Sequence, residues 1–110
     1  LLGAANLGDI GRHFPDNDSS YKGIDSKILL QKVVKLIHNN GYEIGNIDST
    51  ICLQRPKIAP YVAQMQETLS KCMCIDKHQV SIKATTTEKL SFVGREEGIS
   101  AYATVLIKQI

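Results

Sequence analysis

Two strand patterns separated by a helical stripe constrain this chain more than anything else in it. Tyr42 to Leu53 reads as a strand, with Ile47, Ser49, Ile51 and Leu53 facing one way and Asp48, Thr50 and Cys52 the other. Gln79 to Ala84 reads as a second, because Val80-Ser81-Ile82-Lys83 alternates apolar and polar residues. Between them Val62, Met65, Leu69 and Cys72 or Met73 recur at helical spacing, with Pro60 near the start. Strand, helix and strand in one sheet imply a right-handed crossover, and with it an α/β fold. A last strand, Ile99 to Ile107, is apolar on both faces, with Ile99, Ala101, Ala103, Val105 and Ile107 on one side and Tyr102, Thr104 and Leu106 on the other. That pattern predicts burial, in part against another subunit.

The remaining elements follow from local signals. Leu1 to Leu7 reads as the end of a helix stopped at Gly8. Residues 12 to 25 are rich in Asp, Ser, Asn and Gly and read as a loop. Asp25 or Ser26 can cap a helix to about Asn39, with Ile28, Leu29, Val33, Leu36 and Ile37 near one face and Asn40-Gly41 as its stop. His38 falls in its last turn, a structural or surface position.

The 110 residues make one domain, short for an enzyme that closes its own active site, so a site shared between subunits is the expectation. A net charge of +2 without a basic run points away from nucleic acid and anionic membranes. No run approaches the roughly 18 apolar residues of a membrane span, and Leu1 to Leu7 lacks the basic region of a signal peptide. Three cysteines cannot all pair within one chain, which suits free thiols in a reducing compartment. Cys72-x-Cys74 with His78 offers three soft ligands, but the pair is too tight for a finger and no fourth ligand is evident.

Chemistry concentrates in Lys83 to Arg95. Three hydroxyls, Thr85, Thr86 and Thr87, follow the second strand, and the chain is expected to turn there into a short helix. Thr85 and Glu88 have capping-box spacing, which is a sufficient structural reason for both. The alternative is an anion site at the strand's carboxyl end and the helix's amino end. Glu88 would repel a phosphate there unless a divalent cation intervened, and Mg²⁺ is commonly held by one or two carboxylates together with phosphate oxygens.

Lys83 to Glu88 with Lys89, Phe92, Gly94 and Arg95 resembles the carboxyl-terminal motif of the 2-C-methyl-D-erythritol 2,4-cyclodiphosphate synthase family, lyases of the non-mevalonate route to isoprenoid precursors. Three further stretches match in order: Gly8 to Gly11 with Phe14 to Asp18, Gly41 to Asp48, and Leu53 to Ile58. The resemblance implies a mixed α/β sheet with helices packed on one side, and a homotrimer with active sites between subunits. It implies that 4-diphosphocytidyl-2-C-methyl-D-erythritol 2-phosphate is cyclised with release of CMP. A non-catalytic nucleotide- or phosphate-binding module of the same fold is the alternative, and a purely structural oligomerisation domain a third.

Residue roles follow from the same resemblance. Asp9, Ile10 and Gly11 would contact the methylerythritol hydroxyls, and Phe14, Pro15, Asp16, Asn17 and Asp18 would form a mobile loop over the phosphates. Leu53, Gln54, Arg55, Pro56, Lys57, Ile58 and Ala59 would make the cytidine pocket, largely through backbone. Thr86 would be the catalytic hydroxyl, flanked by Thr85 and Thr87, with Phe92 and Arg95 as further substrate contacts. Glu88 would hold Mg²⁺ or Mn²⁺. The family's zinc ligands, an Asp-x-His motif and a further His, have no counterpart in these residues, so the domain is expected to be incomplete at its amino terminus and inactive alone. Bacterial cytoplasm is the expected setting, with a plastid or apicoplast stroma as the alternative.

Overall fold

The computed structural model describes all 110 residues, and its centre is a three-stranded mixed sheet. Strand β1 (Tyr42–Cys52) lies in the middle, parallel to β2 (Val80–Thr85) and antiparallel to β3 (Ser100–Gln109). The parallel pair is bridged by helix α3 (Val62–Met73), the crossover demanded by the strand–helix–strand order. Helix α2 (Ser26–Asn39) enters from an Asp25 cap whose carboxylate accepts the Lys27 amide at 2.9 Å.

Helices α2 and α3 close one face of the sheet over a core that includes Val34, Ile37, Ile44, Ile47, Met73, Val80 and Ile82. Ile44 and Ile47 are both buried although three residues apart, which simple alternation forbids. A register shift between Ile44 and Asn46 resolves this: the bulge consumes Gly45 and turns both isoleucines to the core. A Cβ on Gly45 would stand 2.9 Å from the Leu106 carbonyl oxygen, so the bulge also requires glycine. Met73 rather than Cys72 completes the α3 stripe, 2% exposed, while Cys74 leaves the helix in the left-handed conformation (φ 56°).

Three local expectations are corrected. Residues 1 to 7 form turns instead of a helix, yet they close like a helix end: Leu7 N–H donates to the Leu2 carbonyl and Asn6 N–H to Gly3, with Asn6 at φ 58°. Asn6, not Gly8, is the left-handed stop. The loop at 12 to 25 holds the end of a one-turn helix α1 (Ile10–His13), capped by Asp9, and a 3₁₀ turn (Ser19–Tyr21), capped by Asp18. Gln79 belongs to a 3₁₀ turn capped by Asp76, so β2 begins at Val80.

The expected burial of β3 is met on one face within the single chain. Val105 and Ile107 pair with Ile47 and Ile44 on the helix side and are half-buried. Tyr102 and Leu106, on the opposite face, are 65% and 64% exposed, because the chain places no element over that side. No helix is long and apolar enough to cross a membrane.

Candidate active site

The hydroxyl-rich stretch does lie at the carboxyl end of a strand, but it does not start a helix. Thr85 is still paired with Cys52 in the sheet, and its carbonyl accepts the Leu53 amide at 3.0 Å. Sheet pairing therefore takes the residue that the expected capping box would have used. The chain then folds into a tight turn, Thr87 to Leu90, closed by Leu90 N–H to the Thr87 carbonyl at 3.0 Å. Glu88 and Lys89 stand at φ 52° and 66°, the mirror-image turn that asparagine and glycine usually occupy. Each non-glycine residue there stores about 1–2 kcal/mol of backbone strain. Such strain persists where the surroundings over-determine it, and it gathers at functional sites. The helix comes later as one turn, α4 (Ser91–Gly94), so no helix dipole serves the threonines.

The three hydroxyls are not equivalent. Thr85 Oγ1 donates to the Thr86 carbonyl at 3.1 Å, and Thr87 Oγ1 donates to the Leu90 carbonyl at 2.7 Å. Thr86 Oγ1 instead accepts the Glu88 amide at 3.3 Å, which leaves its own proton free for an external acceptor. The Glu88 carboxylate has no hydrogen-bond or ion-pair partner in the chain. A free hydroxyl proton and a free carboxylate thus stand two residues apart on a strained, exposed turn.

Segment 53–59 lies against this turn. Gln54 Oε1 accepts the Lys89 amide at 3.3 Å, and Arg55 forms a 2.6 Å ion pair with Glu96, just beyond α4. That bond raises the Arg55 guanidinium above its usual range. Arg95, expected to face a phosphate, is held by Glu97 through Nε and Nη2 at 2.9 and 3.3 Å. Phe92 is 47% exposed, its ring edge 3.4 Å from where a Cβ on Gly98 would sit. Gly94 is enforced more strictly, since a Cβ there would fall 2.1 Å from the Lys89 carbonyl carbon.

The first loop stands apart. No hydrogen bond or ion pair joins residues 9–18 to either segment; Asp9 accepts the Arg12 amide and Asp18 accepts the Ser20 amide and hydroxyl. Those Ser20 bonds hold the Asp18 carboxyl below its usual range. Asp9 and Ile10 border a mostly apolar groove of about 560 Å³ between the amino-terminal turns, α2 and the sheet. Within one chain, then, the threonine turn and segment 53–59 meet, and the Asp9 segment does not join them. Sequence reasoning missed Glu96, which offers no signal in a single sequence because its partner is 41 residues away.

Metal fit divides the expected ions. Glu88, exposed and unpaired, suits Mg²⁺ or Mn²⁺ held by one carboxylate with the rest of its shell from phosphate and water. Zinc needs three or four protein ligands, and no three His, Cys, Asp or Glu side chains converge anywhere in the chain.

The profile of the YgbB family matches residues 1–108. The chain belongs to the YgbB family. A Bacteroides fragilis relative named 2-C-methyl-D-erythritol 2,4-cyclodiphosphate synthase is 64% identical over 110 residues, covering all of this chain and 69% of the relative. The Thioalkalivibrio sulfidiphilus protein of the same name is 56% identical over 108 residues, 98% of this chain and 68% of the relative. Among solved structures, the bifunctional IspDF of Campylobacter jejuni superposes with a TM-score of 0.95 at 38% identity, over 99% of this chain and 30% of that one. A CDP complex of IspF from Plasmodium falciparum gives 0.85 at 34%, over 98% of this chain and 64% of that one. Family, enzyme name and mixed sheet with helices on one side agree with the resemblance carried by the four sequence motifs.

Proposed function

We propose that the chain forms the cytidine- and diphosphate-binding part of a 2-C-methyl-D-erythritol 2,4-cyclodiphosphate synthase. The observation that carries this reading is the Thr86–Glu88 turn, with one free hydroxyl proton and one free carboxylate, held against segment 53–59. The substrate is 4-diphosphocytidyl-2-C-methyl-D-erythritol 2-phosphate. An oxygen of its 2-phosphate attacks the β-phosphorus, the α–β bridging bond breaks, and the electron pair leaves with CMP.

Little covalent work falls to the protein in such a transfer; it must fold the substrate and meet the charge. Glu88 would hold the Mg²⁺ or Mn²⁺, which would supply Lewis-acid neutralisation of phosphate charge. Thr86 donates its free proton to a phosphoryl oxygen as charge develops there. Thr85 and Thr87 hold the turn through their carbonyl bonds and flank the diphosphate. Segment 53–59 takes the cytosine, Phe92 and Arg95 lie at its rim, the Asp9 segment serves the methylerythritol hydroxyls, and the Phe14–Asp18 loop covers the phosphates, these last two from a neighbouring copy. The lack of any hydrogen bond or ion pair between the two halves of the site within one chain supports a site shared between subunits, as in the proposed trimer. Bacterial relatives support a bacterial cytoplasmic setting. Zinc does not fit the donor set of these residues, so the 110-residue chain on its own is expected to bind CDP weakly and not to cyclise.

The test is incubation of the intact protein with this substrate, Zn²⁺ and Mg²⁺, followed by ³¹P NMR. CMP with a cyclic diphosphate is the expected outcome. CDP binding without CMP release would replace the enzyme with a nucleotide-binding module.

A further inference from the structure

We infer that the Arg55–Glu96 ion pair is a clasp that positions the cytidine-binding segment against the threonine turn, and that Arg55 acts through Glu96 and not by touching the ligand. The inference rests on the proposed role of segment 53–59. Arg55 and Glu96 meet at 2.6 Å, and theirs is the only side-chain ion pair joining segment 53–59 to the region beyond β2. Its guanidinium is 76% exposed and Glu96 42%, so the pair adds little to global stability. A weak, salt-screened contact at a loop junction is suited to orientation.

The backbone at Glu96 points the same way. Glu97 N–H donates to the Phe92 carbonyl at 2.9 Å and Glu96 N–H to Val93 at 3.1 Å, the double closure that ends a helix on a left-handed residue. Glycine is the usual occupant, but here Glu96 stands at φ 62°. A carboxylate stands where glycine would be relaxed, and that carboxylate is the one Arg55 grips. The clasp thereby fixes segment 53–59 to the same short helix that carries Phe92, while Gln54 fixes it to Lys89 two residues before α4. Segment 53–59 is thus tied to the chain on both sides of α4, before it at Lys89 and after it at Glu96.

Four variants of the intact protein test this: Arg55→Ala, Glu96→Gln, Glu96→Gly and the charge-reversed pair Arg55→Glu/Glu96→Arg. CDP affinity is read by calorimetry at low and high salt, with kcat and KM for the diphosphocytidyl substrate and Tm for each. Arg55→Ala, Glu96→Gln and Glu96→Gly should each weaken CDP and raise KM by about three- to tenfold, with kcat changed less than twofold. Glu96→Gly should do so without a fall in Tm, which separates positioning from stability. The reversed pair should recover most of the affinity, and wild-type affinity should fall with salt to that of the single variants. Loss in Arg55→Ala with none in Glu96→Gln, or no recovery in the reversed pair, would mean that Arg55 touches the ligand directly and would overturn the clasp. Unchanged affinity in all single variants would overturn it as well. Failure of the wild type to bind CDP at all would instead remove the functional reading on which the clasp stands.

Discussion

Thr86 shows how a single hydrogen-bond direction can sort chemically identical side chains. Its neighbours spend their protons on carbonyls, whereas its own oxygen accepts the Glu88 amide and its proton stays free. Thr86→Ala is therefore expected to lower kcat by about 10- to 100-fold, the worth of one hydrogen bond to a charged group, with CDP affinity unchanged. Equal loss in Thr85→Val would deny this sorting. Gly94 makes a second residue-scale prediction. A Cβ at Gly94 would overlap the Lys89 backbone, which has no flexible end to move aside, so Gly94→Ala should destabilise the protein by at least about 2 kcal/mol in denaturant titration. The motif names all of these residues, but a single sequence does not show that Thr86 alone keeps its proton or that Gly94 is packed against backbone.

At the scale of elements, α2 was legible and the threonine turn was not, for one physical reason. Every signal for α2 is local: the Asp25 cap, the apolar stripe and the Asn40-Gly41 stop act within a few residues. The capping-box reading of Thr85 and Glu88 also used only local signals, and it lost to a long-range one. Pairing with Cys52 and Leu53 extends β2 through Thr85, and the left-handed pair at Glu88 and Lys89 then closes a turn where a helix was expected. The bulge at Gly45 was hidden in the same way, because it depends on the approach of Leu106 from β3. Asp25 gives a pH test. Its bonds to the Lys27 amide and side chain depress its carboxyl below the usual value, so the cap's contribution is fully present above the unfolded value near 4 and is lost as pH falls through the folded one. Asp25→Asn keeps an amide cap without a titrating charge. Its Tm should fall less than the wild type's between pH 5 and about pH 2.5, and parallel curves would contradict the assignment.

At the scale of the whole molecule, the sheet has one covered face and one bare one. Tyr102 and Leu106 project from the bare face of β3, and Ile99 and Ile110 at its ends are 63% and 77% exposed. The expected burial of β3 on both sides is not met within one chain, and a neighbouring subunit of the proposed trimer would supply the missing cover. Leu106→Asp should shift the intact protein from trimer to monomer in sedimentation velocity and abolish turnover while the secondary structure persists. A stable trimer in that variant would move the interface elsewhere. The same incompleteness appears at the site, where the threonine turn and segment 53–59 meet but the Asp9 segment stays apart. If the threonine turn performs metal-assisted cyclisation as proposed, the Mg²⁺ dependence of kcat in the intact wild type and in Glu88→Gln reports on it. Glu88→Gln should lose 100-fold or more in kcat, about 3 kcal/mol, and saturating Mg²⁺ should not restore it. Wild-type turnover by Glu88→Gln would contradict it.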